Sequence, residues 1–173
     1  MTGDVLKKPL SKTLELDLVE TLYRKQLDES SWTFWRILKH VRDEHAAIAM
    51  KVLEGNDESE AELVRAAWAA DGAEGLRAAG AFYAWAGSST NLPGLFKRLK
   101  KDAAEFDALV PVMKKAIAAL LPGDEPDTLT FWPMVWLVAH ANPKDPLLAK
   151  LRKANDRWGD EYDTLNRVLA SAS

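Results

Sequence analysis

The chain has 173 residues, of which 28% are charged and 47% apolar, with a formal net charge of −3 and no cysteine. These values fit one ordinary globular domain, able to bury roughly two thirds of its unfolded surface, and exclude a disordered chain. They also exclude disulfides, thiolate metal sites and a cysteine nucleophile, and supply no global attraction for nucleic acid or anionic lipid.

Helical periodicity runs through almost every segment, and the alternation of a half-buried strand is missing. The N-terminal MTGDVLKKPL lacks the apolar stretch of a signal peptide, so residues 1–10 read as a flexible arm ahead of a single helical domain over 11–170. No run approaches the ~20 apolar residues that span a bilayer. A cytoplasmic protein with no membrane partner is the expectation.

Leu14, Leu18, Val19 and Leu22 form the first apolar face, with Ser11 or Thr13 as its cap. A second helix is predicted to begin after DESS and end at Gly55, with Phe34, Ile37, Leu38, Val41, Ile48, Ala49 and Val52 on one stripe and His45 in its middle. Ser59 and Glu62 have capping-box spacing for a third helix, which ADG at 70–72 breaks. The Ala/Gly-rich AEGLRAAGAFYAWAG follows, and its small residues allow another segment to approach closely.

Gly87 and SSTNLPG form a turn, after which Leu95, Phe96, Leu99, Phe106, Val110, Met113 and Ile117 continue the pattern, with a bend or restart near Pro111. PGDEPD is the clearest interior linker. The next helix opens at Thr130 and tolerates Pro133 in its first turn, where backbone N–H groups have no intrahelical partner. Asp145 and Pro146 suit N-cap and N1 of a final helix burying Leu147, Leu151, Trp158, Tyr162, Leu165 and Leu169, with a frayed SAS at its end. The fold class is therefore all-α, a compact single-domain bundle of about six to eight helices.

Few residues carry chemistry. On a continuous helix His40 and His45 are five apart and point about 140° from each other, so they cannot easily share an ion. His40 and Glu44 are correctly spaced, but two ligands do not make a site, and only His140 remains elsewhere. A metal- or ligand-binding bundle around His45 stays as a minor alternative to a core histidine. GSST at 87–90 has hydroxyls but no nucleophile elbow, and no glycine-rich phosphate cradle is present. Asp156, Asp160 and Asp163 lie at helical spacing, opposite the Leu/Trp stripe, and read as a solvated face. No cofactor, metal or catalytic residue is assigned, and the chain does not read as an enzyme.

What remains is surface. KRLKK places Lys97, Arg98, Lys100 and Lys101 on one short helix, which reads first as a solvated face of snorkelling side chains and second as able to meet an acidic protein partner; nucleic acid is disfavoured by the overall charge. Burying one of the seven tryptophans removes about 150–250 Å² from water, an upper bound of roughly 4–6 kcal/mol, so most belong to a core. Trp35 falls at the edge of the second helix's apolar stripe and Trp32 nearly opposite it; Trp32 is then covered by another helix or the N-terminal arm, or else is the leading candidate for an interaction surface.

In that order, WTFW, EAELVRAAWAADGAEG and AGAFYAWAGSSTNLPG, within residues 32–93, resemble an uncharacterised family of helical bacterial proteins often encoded with type VI secretion genes. The resemblance implies an accessory role in secretion and transfers no catalytic residue. The expected function is a non-enzymatic, protein-binding adaptor or chaperone, with Trp32, Trp35 and Trp85, the loop residues Ser88 and Asn91, and the basic cluster as its contacts. The alternative is an immunity or inhibitor protein that meets a toxin or nuclease through Asp156, Asp160 and Asp163.

Overall fold

In the computed structural model the described residues are 11–13, 16–17, 21, 38–52, 59–86, 91–126 and 131–173. The arm at residues 1–10 and the apolar face of the first helix lie outside them. Every extended element among the described residues is helical and no strand occurs, so the fold is all-α. The backbone contacts group into two units, residues 1–87 and 88–173.

In the first unit α1 (Asp43–Val52) packs on α2 (Ser59–Ala86). The predicted break at ADG is present as a kink, where Asp71 and Gly72 leave helical φ/ψ. The long helix expected between DESS and Gly55 is interrupted. Residues 39–42 form a turn, and α1 starts only at Asp43. Arg77 on α2 supplies the reason: its Nη1 donates to Val41 O at 3.0 Å and to the Asp43 carboxylate at 2.7 Å. These two bonds favour the turned backbone of residues 39–42 over a continuous helix. The close approach expected of the Ala/Gly segment occurs at Gly80, where a Cβ would lie 2.5 Å from Leu38 Cβ and 2.7 Å from Lys39 N. Gly80→Ala would force these backbones apart.

The second unit contains α3 (Leu92–Asp102), a 3-10 segment (Ala103–Leu109), α4 (Val110–Leu120), α5 (Phe131–Ala141), α6 (Pro146–Trp158) and α7 (Thr164–Ala172). The restart foreseen near Pro111 is the junction between the 3-10 segment and α4, where proline has no N–H to give the ladder. α5 is its centre. Every residue from Phe131 to Ala139 is buried, and the helix packs against α3, the 3-10 segment, α4 and α7. A helix apolar all round is stable only when covered all round. The linker preceding it is pinned: Arg157 Nη2 donates to Leu121 O and Gly123 O, and Trp158 Nε1 to Gly123 O at 2.8 Å.

Asp145 caps α6 as expected, accepting from Leu147 N at 2.9 Å, and a buried carboxylate there is balanced by Lys114 Nζ at 2.7 Å. Burial alone would raise its pKa; the hydrogen bonds from Lys114 and the Leu147 N–H outweigh that and hold it below the ordinary carboxyl value.

The single final helix is corrected to two. α6 ends at Gly159, whose φ of 74° is the left-handed conformation that lets a chain leave a helix, and α7 begins at Thr164. Tyr162, expected in the core, is 76% exposed in the intervening turn. The end of the chain is not frayed. α7 continues to Ala172, Trp136 Nε1 donates to Ser171 Oγ at 3.2 Å, and His140 Nδ1 lies 3.1 Å from Ala172 O.

Candidate functional site

Two recesses flank α7 within the second unit, and they differ in chemistry. The larger, about 560 Å³, lies between α3 and α7. Its apolar surface comes from Leu92, Pro93, Phe96 and Val168, and its cations are Lys97, Lys100 and Arg167. No described carboxylate lines it.

Local sequence sets this arrangement. Asn91 caps α3 by accepting the Gly94 N–H at 2.8 Å, with Pro93 in the first turn. That start fixes the register: Leu95 and Leu99 turn fully inward, while Phe96, Lys97 and Lys100 face the cleft. On α7, Thr164, Arg167, Val168 and Ser171 recur at i, i+3, i+4 and i+7, one helical stripe, and form the opposite wall. Trp136 fixes the far end of that wall through Ser171. Among the described residues Lys97, Lys100 and Arg167 form no ion pair, and all three are exposed.

The smaller recess, about 380 Å³, brings Asp156, Asp160 and Asp163 together with Arg152, Asn155, Leu165 and Asn166. The three aspartates are not the solvated face of a continuous helix. The Asp160 carboxylate caps α7, accepting from Thr164 N at 2.9 Å and Leu165 N at 3.1 Å, and also receives Asn155 Nδ2 at 2.9 Å. Burial would raise its pKa, but the donors from Asn155, Thr164 and Leu165 prevail and lower it. Asp163, at a left-handed φ of 54°, accepts from Asn166 Nδ2 at 2.7 Å.

The residues singled out by sequence scatter. Trp32, Trp35 and Ser88 lie outside the described residues. Trp85 belongs to the first unit, half-buried and stacked on Phe82 at 5.7 Å. The Asn91 oxygen is committed to its cap. Of the basic cluster, Lys97 and Lys100 line the cleft, while Arg98 and Lys101 do not. Arg167, Phe96 and Val168 were missed; the only signal was the stripe on α7, hidden inside what looked like one longer helix.

His45 is 4% exposed in the first turn of α1, and His40 sits in the preceding turn. Lys12 donates to the Glu44 carboxylate at 2.9 Å, and that hydrogen bond leads the effects holding Glu44 below its ordinary pKa. Among the described residues no group of three or more His, Cys, Asp or Glu is placed to hold a metal, and no helix is long and apolar enough to cross a membrane.

Nothing matches the chain among protein-family models, curated proteins or solved structures.

Proposed function

We propose that the chain is a non-enzymatic protein-binding module whose α3–α7 cleft takes an acidic segment of a partner, anchored by an apolar side chain. One observation carries the reading: three cations from two helices surround an apolar floor with no described carboxylate among them. Apolar burial against Phe96 and Val168 would supply affinity, and carboxylates meeting Lys97, Lys100 and Arg167 would orient the segment and speed its encounter. The adaptor or chaperone-like role in a bacterial secretion system, implied by the resemblance of residues 32–93, is a setting in which such a clamp would act. Trp32 and Trp35, which lie outside the described residues, remain proposed partner contacts on the sequence pattern alone.

The test is selection of randomised 12-residue peptides displayed on phage. Wild-type protein is expected to enrich acidic peptides containing Leu, Phe, Trp or Tyr, and Lys97→Glu/Arg167→Glu to lose them. Enrichment unchanged by the double reversal would remove the cleft from the proposal. Decanoate displacing nothing is expected; decanoate binding as well as the best peptide would assign the cleft to small amphiphiles instead.

The gathering of Asp156, Asp160 and Asp163 around one recess favours a second reading, an inhibitor that meets a basic toxin or nuclease surface. Its mark would be enrichment of basic peptides, lost when Asp156 is replaced by Lys.

A further inference from the structure

Among the described residues Tyr162 is the one large hydrophobic side chain that stands exposed. It projects from the turn joining α6 to α7, with Glu161 and Asp163 on either side and Asp156 nearby across the smaller recess, all exposed. The turn is held from both ends. Gly159 N donates to Asn155 O at 3.2 Å, closing α6, and Asp160 receives two backbone N–H groups of α7 and the Asn155 amide. Asp163 keeps a left-handed φ that costs a non-glycine residue on the order of 1 kcal/mol and is stabilised here by Asn166. An aromatic held on a stiff acidic turn loses little conformational freedom on binding, which is a property of interface anchors.

This turn has the chemistry the cleft accepts: one amphipathic aromatic flanked by carboxylates, against an apolar floor flanked by cations. The two also share an element. Thr164 follows the turn directly and lines the cleft, so the turn adjoins the N-terminal end of the cleft's α7 wall. An isologous dimer that makes both contacts at once needs a two-fold axis beside that end of α7.

We propose that, in the absence of a partner, the cleft is occupied by the Tyr162 turn of a second copy of this chain. The contact is reciprocal, with Tyr162 on Phe96 and Val168, and Glu161 and Asp163 facing Arg167, Lys97 and Lys100. The dimer masks the cleft, and an acidic partner segment competes for it. The proposal rests on the reading of the cleft as a site for acidic, apolar-anchored segments.

The test is sedimentation equilibrium of the full chain from about 1 μM to about 500 μM at low salt, a range that resolves interfaces at the small, weak end of the known sizes. Wild type is expected to move from the mass of one chain toward that of two. Tyr162→Ala, Glu161→Arg and Arg167→Glu should each weaken association at least tenfold while keeping the wild-type circular dichroism spectrum and melting transition. An equal mixture of Glu161→Arg and Arg167→Glu restores opposite charge in both contacts, so the two together should associate where neither does alone.

A wild type that stays monomeric throughout, a dimer untouched by all three changes, or a mixture without rescue would each overturn the proposal. The two readings fail separately. If the phage-selected acidic peptide still binds wild type and loses Arg167→Glu, self-docking alone is wrong; if that binding is absent too, the cleft itself has been misread.

Discussion

The two recesses beside α7 use charge in opposite ways. On one side Asp160 spends its acceptors on the fold: it holds two backbone N–H groups of α7 and the Asn155 amide. On the other, Lys97, Lys100 and Arg167 stand over apolar surface without a carboxylate among the described residues. Charge that satisfies backbone groups is structure. Charge gathered around unfilled apolar surface, with no structural partner, is available to a ligand.

That contrast can be broken experimentally, beginning with the acidic side. Asp160→Ala removes an N-terminal cap and leaves Asn155 without its acceptor, so urea unfolding should show a loss of about 2–3 kcal/mol. A loss below about 0.5 kcal/mol would mean that Asp160 is as dispensable as the cations opposite.

Acid should reveal the same commitment. Asp145 and Asp160 have pKa values lowered by folding, so their stabilisation is fully present above the unfolded carboxyl value of about 3.9. It is lost as pH falls through the still lower folded values. Near neutral pH their contribution should therefore be full and should not vary with pH, and the acid-side fall should be shallower in Asp160→Asn than in wild type.

The cationic side should behave differently. Lys97→Glu/Arg167→Glu is expected to change stability by less than about 0.5 kcal/mol, while abolishing peptide enrichment. Smallest of all is Tyr162→Ala, within about 0.3 kcal/mol in urea because the side chain is mostly exposed, with its effect confined to self-association.

How legible this was depends on whether the decisive interaction is local. The Asp145-Pro146 start of α6, the kink at Asp71–Gly72 and the restart at Pro111 were readable because each signal acts within a turn of its own residues. The interruption at residues 39–42 was not, since it depends on Arg77 arriving from another helix. Gly159 was read through because Leu151, Trp158, Tyr162, Leu165 and Leu169 keep helical spacing across it. There the turn chemistry of Gly159, Asp160 and Asp163 wins over the hydrophobic period.

The cleft was half legible for the same reason. KRLKK announces its own charge, but only the packing of α3 and α7 around α5 brings Arg167 and Val168 to Lys97 and Phe96. The three aspartates were visible as a pattern, and their role was not, because a capping carboxylate and a solvated one have the same letter.

The most direct test of the cleft is amide chemical-shift mapping with 15N-labelled protein and the phage-selected acidic peptide. The account predicts perturbations concentrated in residues 92–100 and 164–171, absent in Lys97→Glu/Arg167→Glu. Shifts centred instead on residues 155–163, or on the first unit, with the cleft silent, would contradict it.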